Sequence, residues 1–300
     1  EVNGFQYPGT YDPNGPNGVY CSIYGNSQST NGLAKVNNDP DKGESTVCYP
    51  CLSIIAATFN TDLAEEVGKS YGEEALWAGV SGIYAFTVNL HRYATHGRMC
   101  ESYSEDPLLT GIICGYQSLG CQEKGLYVYT KHFVLNEQET NRVSHESWIN
   151  EQTLRQLYLK AFEVSIGISD GRNVMTSFAR VGGVWAGHDY NLTTTWLRGE
   201  CGLSGFAVTD SYMSSYMSMR GGVLGGQDLP DGSANVSDFD YAKTNASAVA
   251  WAMRESAHRI MYTAVQSNRV NGLAVNANVS VKVLTPKWVK VKNGVVIGVN

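Results

Sequence analysis

The sequence predicts an α/β protein of the (β/α)8 TIM-barrel type, with an incomplete or irregular N-terminal part. Strand-like apolar runs alternate with stretches of helical spacing, which is typical of a parallel sheet with helical crossovers. No GxGxxG sequence opens a helix after a strand, so the fingerprint of a dinucleotide-binding open sheet is missing. Polar residues also close several of the apolar runs, and barrel enzymes carry their chemistry at the carboxyl ends of their strands.

The alternation begins near Asn60 and continues for about two hundred residues. Helical spacing and polar starts predict helices near 60–78, 107–123, 151–168, 190–198 and 240–266. Apolar runs predict strands at 82–90, 126–133, 173–178 and 205–210, and a further stretch at 221–229 completes the series. We therefore expect one barrel domain over residues 1–270, whose first 47 residues form loops. Residues 271–300 are rich in Val and Lys, and they are expected to be a linker or the edge of a missing domain.

Composition narrows the classes of function. The 22 basic and 28 acidic residues give a net charge of −6, without a run of Lys or Arg that could follow a phosphate backbone, so nucleic acid is not an expected partner. No stretch reaches the roughly 18 apolar residues that a membrane segment needs. The seven cysteines are expected to be reduced thiols, which favours the cytoplasm slightly. No cofactor or metal is expected, although Cys48 and Cys51 leave a thiol redox protein as an alternative.

Three strand-end residues suggest a common pocket. Lys131 and His132 close the run LYVYTKHF, and Asp210 closes GFAVTD. Because parallel strands end at one rim, we expect a cation, an imidazole and a carboxylate to face the same site. Adjacent side chains leave an extended strand on opposite faces, so Lys131 and His132 can share a ligand only if the strand twists or bulges. The alternative for Asp210 is a helix N-cap.

Arg98 lies in the loop HGRMCESYSEDP, and its guanidinium has donors suited to vicinal hydroxyls. The alternative is a structural ion pair with Glu101 or Glu105. If Arg98 and Lys131 approach Asp210, they should lower the pKa of its carboxyl group and keep it ionised, as a nucleophile must be. A neutral sugar would then be the natural substrate.

Eight stretches extend this reading: FNTDLAEEVGKSYGEEA, VNLHR, GRMCESYSEDP, TKHFVLNEQETNR, NEQTLRQLYLKAFE, VMTSF, LRGECGLSGFAVTD and GGQDLP. In this order, between about Thr46 and Leu229, they resemble the barrel domain of glycoside hydrolase family 3, which includes β-glucosidases and β-xylosidases. The resemblance implies a retaining, exo-acting enzyme that releases a terminal β-linked sugar, with glucose expected.

The same resemblance implies roles for individual residues. Asp210 would be the nucleophile, and Arg98, Lys131 and His132 would hold hydroxyls of the terminal sugar. Met175 falls at a subsite position, and Asp12, in a stretched version of a family loop, would grip the same sugar.

The chain also departs from the family pattern. Phe178 stands where a Tyr is common, and Ser211 follows Asp210 where many members have an aromatic residue. Two-domain members take their general acid from an α/β sandwich domain, which is expected to be missing here. Single-domain members use a His instead, and here His145 would have to be oriented by Glu137 or Glu139. A sugar-binding module with impaired catalysis is therefore the alternative function.

Overall fold

The structure is a computed structural model that describes residues 49–78, 81–213, 215–231, 235–243 and 246–268. The strands in these ranges are β1 (Gly82–Ile83), β2 (Tyr127–Phe133), β3 (Glu146–Ser147), β4 (Asn173–Thr176), β5 (Arg180–Val181), β6 (Val184–Trp185), β7 (Ala207–Ser211) and β8 (Leu229–Asp231). The α-helices are α1 (Leu52–Ala57), α2 (Thr61–Ala78), α3 (Pro107–Glu123), α4 (Glu151–Thr153), α5 (Lys160–Ser169), α6 (Met219–Gly225) and α7 (Ser247–Gln266). Segments Met99–Glu101 and Val236–Lys243 are 3₁₀-helical, and Leu154–Leu159 and Asn191–Glu200 are π-helical.

The central sheet has five strands in the order β1-β2-β4-β7-β8, and every neighbouring pair is parallel. Spatial order follows chain order without a reversal. Because parallel crossovers are right-handed, this order places successive helices on one face of the sheet and curls the sheet into part of a barrel. An open doubly wound sheet would instead reverse its strand order at a switch point. A small second sheet joins β3, β5 and β6.

Alternating residues of the strands bury two different faces. The large outer cluster combines strand residues such as Val128, Val174 and Ala207 with the inward sides of the helices. Their chain neighbours Tyr129, Met175 and Val208 form a separate inner cluster with Phe206. Side chains alternate with a period of two, so the residues two positions after Tyr129 and Val208 also face the inside of the curled sheet. Those residues are Lys131 and Asp210.

The amino ends of the strands are held by an ion cluster. The side chain of Asp228 is fully buried, and its carboxylate accepts hydrogen bonds from Arg198 Nη2 at 2.8 Å and Arg259 Nη2 at 2.6 Å. It also accepts the backbone N–H of Ala207 at the start of β7, at 2.8 Å. Because Arg259 belongs to α7, this carboxylate ties that helix to the rim opposite the one where Lys131 and Asp210 lie.

Most predicted elements are found, with shifted bounds. The helix over 107–123 is confirmed as α3. The predicted strand at 82–90 is reduced to β1 and two isolated bridges of Thr87, to Ser102 and Lys131. The predicted continuous helix from 240 to 266 is wrong, because Val236–Lys243 forms a 3₁₀ segment and α7 begins only at Ser247. The stretch 221–229 divides between α6 and β8, since Gly226 ends α6 with φ of +114°.

Residues 1–48 and 271–300 lie outside the described residues, so the predicted N-terminal loops, the tail and the domain boundary at 270 stay predictions. In the described part of the chain, no helix combines the length and the apolar character that crossing a membrane requires.

Candidate active site

Three of the predicted site residues meet at the carboxyl rim of the sheet. His132, at the end of β2, places Nε2 3.5 Å from Oδ2 of Asp210 in β7. Arg98 comes from the loop after β1, and its Nη2 lies 3.3 Å from the same Nε2 atom. Asp210 lies within β7, and helix α6 is capped by Ser218, so the N-cap alternative for Asp210 is wrong.

Lys131 and His132 reach the same site although they are adjacent in the chain. The register between β2 and β4 shifts between Thr130 and Phe133, so the strand is irregular where it carries this pair. The peptide bond between Lys131 and His132 is cis. The register shift is the irregularity that the sequence required for a shared pocket.

Lys131 is a buried cation in this site. Its side chain is 1% exposed, and Nζ lies 5.2 Å from the centre of the Tyr84 ring. Burial lowers the pKa of Lys131 to about 7, while the charges of Glu101 and Asp210 oppose that shift. The charge of this lysine therefore changes near neutral pH.

The two carboxylate oxygens of Asp210 have different surroundings, and Oδ2 is buried beside His132. Oδ1 accepts the N–H of Ser211 at 2.7 Å, whereas Oδ2 has no hydrogen-bond partner among the described residues. Burial raises the pKa of Asp210, and the positive charges of Arg98 and Lys131 only reduce that rise. The predicted net lowering is therefore wrong, because the loss of hydration outweighs the two cations.

Arg98 is held by an ion pair as well as being part of the site. Nε and Nη2 donate to the two carboxylate oxygens of Glu101 at 3.1 and 2.7 Å, and Nη1 donates to Glu139 at 3.4 Å. The predicted ion pair with Glu101 is thus confirmed. The two roles are compatible, since the bidentate pair fixes the guanidinium plane while Nη2 still faces His132.

Asn89 is a site residue that was not singled out from the sequence. Its side chain hydrogen-bonds both backbone polar groups and the ring of His132, and also the carboxylate of Glu137. The only sequence signal was its presence in the stretch VNLHR.

The single-domain alternative for the general acid does not fit these contacts. Glu137 accepts hydrogen bonds from Asn89 and from the N–H of Leu90. Glu139 binds Arg98 and two further side chains of its own loop. Within the described part of the chain neither carboxylate contacts His145, whose Nε2 lies 3.5 Å from Ser147 Oγ. The predicted orientation of His145 by a glutamate is wrong.

The other predicted residues lie around this centre. Met175 is 2% exposed and packs in the inner cluster, so its contact with substrate stays a prediction. Phe178 is fully buried, and the Arg142 guanidinium carbon lies 4.6 Å from the centre of its ring. Asp12 lies outside the described residues.

The cysteines and potential metal ligands do not form a second centre in the described ranges. Cys51, Cys100, Cys114, Cys121 and Cys201 are free cysteines, and the expected reduced state stays a prediction. Cys48, the other member of the CYPC pair, lies outside the description. Across the described segments, no cluster of three His, Cys, Asp or Glu residues could hold a metal ion.

The curled parallel sheet, with a polar cluster at its carboxyl rim, has the architecture of an incomplete TIM barrel. Residues 40–226 match the family described as "Glycosyl hydrolase family 3 N terminal domain". The chain belongs to glycoside hydrolase family 3, which confirms both the resemblance and the predicted barrel fold.

Its relatives include a β-glucosidase from Ruminococcus albus, 38% identical over 170 residues, which are 57% of this chain and 18% of that protein. A probable β-glucosidase I from Aspergillus flavus is 36% identical over 168 residues, 56% of this chain and 20% of that protein. The structure of β-glucosidase 3B from Thermotoga neapolitana in complex with glucose matches 74% of this chain and 33% of that chain, with a TM-score of 0.67 and 29% identity. The matched region thus spans about a fifth of these curated relatives' length.

Proposed function

We propose that this chain is the nucleophile-bearing barrel of a retaining, exo-acting β-glycosidase that releases terminal β-linked glucose. The observation that carries the proposal is Asp210 Oδ2, an oxygen without a hydrogen-bond partner among the described residues that faces His132 and two cations. Retaining hydrolysis needs such a carboxylate to attack the anomeric carbon. The β-glucosidase names of the relatives and the glucose complex of a structural neighbour support the sugar specificity.

In the first step, Oδ2 of Asp210 forms a bond to the anomeric carbon, and the bond from that carbon to the leaving oxygen breaks. The leaving oxygen keeps the electron pair and needs a proton. Water then cleaves the glycosyl ester and returns the carboxylate. Arg98, Lys131 and His132 would hold ring hydroxyls during both steps, so that the carbon stays aligned with Oδ2.

The proton for the leaving group would come from outside the described residues. Two described carboxyl groups near Asp210 already have partners, since Glu101 binds Arg98 and Glu137 binds Asn89. We infer that a carboxylate of an α/β sandwich domain supplies this acid in the whole protein. Positioned acid catalysis contributes on the order of a hundred- to ten-thousand-fold, so alkyl glycosides should be poor substrates of this chain alone.

An activated fluorosugar tests the proposed nucleophile directly. Its leaving group departs without a proton, and the fluorine slows hydrolysis of the glycosyl-enzyme, so the intermediate should accumulate. Mass spectrometry of the intact chain and of its peptides should show one added sugar, attached to Asp210. Glucose binding by calorimetry without any label would instead favour a sugar-binding module, and a label on another residue would overturn the assignment.

The pH dependence should reflect Asp210 and Lys131. We expect kcat/KM for a dinitrophenyl β-glucoside to fall at low pH as the Asp210 carboxylate, whose pKa burial raises, becomes protonated. It should fall again above about pH 7, where Lys131 loses its charge. In Lys131→Arg the guanidinium stays charged, so the alkaline limb should move to higher pH. An alkaline limb at the same pH in a folded Lys131→Arg variant would exclude Lys131 as its source.

A further inference from the structure

The backbone of His132 fixes the orientation of the Asn89 amide. Oδ1 of Asn89 accepts the N–H of His132 at 2.9 Å, and Nδ2 donates to the carbonyl of His132 at 3.2 Å. A backbone N–H can only donate and a carbonyl can only accept. Exchanging the oxygen and nitrogen of the Asn89 amide would therefore place donor against donor at one contact and acceptor against acceptor at the other. The oxygen of this amide is therefore identified without reference to the imidazole.

The same oxygen determines which ring nitrogen of His132 carries the proton. Nδ1 of His132 lies 3.1 Å from Oδ1 of Asn89. An amide oxygen is only an acceptor, so Nδ1 must donate. Burial, together with the charges of Arg98 and Lys131, holds the pKa of His132 well below its usual value, so the ring is neutral. A neutral imidazole has one proton, and Nε2 is left with a lone pair.

The surroundings of Nε2 agree with this tautomer. Nη2 of Arg98 lies 3.3 Å from Nε2. Because a guanidinium N–H can only donate, it donates a hydrogen bond to the Nε2 lone pair. Oδ2 of Asp210 lies 3.5 Å away, and it receives no hydrogen bond from the ring. The opposite tautomer would place a proton between Nε2 and Oδ2 and would engage the oxygen that must attack the sugar.

Glu137 holds the Asn89 amide in place through a second hydrogen bond from Nδ2. Oε1 of Glu137 accepts from Nδ2 of Asn89 at 3.2 Å and from the N–H of Leu90 at 3.2 Å. Both hydrogens of the amide nitrogen and both lone pairs of the amide oxygen are then used. Such a fully satisfied buried amide holds one orientation, because any other would leave polar groups unpaired.

We propose that Asn89, braced by Glu137, is a positioning residue that sets the Nδ1–H tautomer of His132. In this state Nε2 accepts a hydrogen bond from Nη2 of Arg98, and the attacking oxygen of Asp210 keeps its lone pairs. The catalytic consequence rests on the proposed function, whereas the tautomer itself does not.

Long-range proton–nitrogen NMR of the ¹⁵N-labelled full chain reports the tautomer of each histidine. The His132 signals are assigned by their loss in His132→Gln. We expect the wild type to show the Nδ1–H pattern. Asn89→Asp keeps an acceptor opposite Nδ1 and should retain the pattern, whereas Asn89→Leu removes it and should move the proton to Nε2. Asn136→Leu is a matched control, since the Asn136 amide donates to Glu139 and not to His132, and this variant should leave the signals unchanged.

An Nε2–H pattern in the wild type, or an Nδ1–H pattern in folded Asn89→Leu, would overturn the proposal. The wild-type spectrum tests the tautomer of His132 even if the Asn89→Leu variant does not fold. In kinetics, Asn89→Leu should slow the release of dinitrophenolate from the β-glucoside by about 10- to 100-fold, with partial recovery in Asn89→Asp. If the tautomers behave as expected but the wild type neither turns over nor is labelled, the proposed function fails and the positioning role of Asn89 stands.

Discussion

Asp210→Asn is expected to slow the first release of dinitrophenolate from a dinitrophenyl β-glucoside by about 10⁴-fold or more. The amide keeps the shape of the side chain but has no anionic oxygen to attack the anomeric carbon. Stopped-flow absorbance measures this step. In the wild type, a burst of dinitrophenolate equal in amount to the enzyme should precede slow turnover. The first step needs no acid and is fast, whereas the attack of water on the glycosyl-enzyme lacks its general base and is slow.

Asp210→Ala provides a second, chemical readout. The truncated side chain leaves room for azide, and this anion should restore cleavage and give a glucosyl azide of inverted anomeric configuration. Thermal unfolding of both variants controls for damage to the fold. If either folded variant keeps the wild-type burst, Asp210 is not the nucleophile.

Asp228→Ala is expected to lower the free energy of unfolding by about 3–5 kcal/mol, which is the usual cost of breaking a buried ion pair by removing one partner. The carboxylate is fully buried between Arg198 and Arg259, and its loss would leave both guanidinium groups without their anion. Burial already lowers the pKa of Arg198 to about 10, against the opposing charge of Asp228. Urea unfolding followed by circular dichroism measures the difference.

Glu200→Ala is the matched control for this experiment. Glu200 pairs with Arg155 at 2.6 Å, but both side chains are more than 40% exposed, so water and salt screen the interaction. Its removal should change the unfolding midpoint little. A similar small effect for Asp228→Ala would mean that the buried cluster does not hold the amino ends of the strands.

The sequence predicted the strand ends that carry Asp210 and His132, because parallel strands separated by helices must end at one rim. It could not predict the direction of the Asp210 pKa shift. The two cations were visible in the sequence, but the burial that outweighs them depends on how deeply the rim lies within the folded chain.

The contacts of Asn89 were hidden for a different reason. This residue meets His132 across 43 positions of sequence and Glu137 across 48. Local periodicity reports neighbours within a helix or strand, and it contains nothing about which loop approaches which strand. The sequence pattern of 240–266 has one helical period throughout. It therefore could not predict that this stretch divides into two segments.

The two ends of β7 have different roles. Ala207, at its beginning, donates to the buried carboxylate that ties in α7, whereas Asp210 lies near its other end among the groups that would hold the sugar. Changes to the loops at the carboxyl ends of the strands therefore leave the ion cluster at the amino ends intact. A directed-evolution library for new sugar specificity should accordingly randomise the loop after β7 and keep Arg198, Asp228 and Arg259 unchanged.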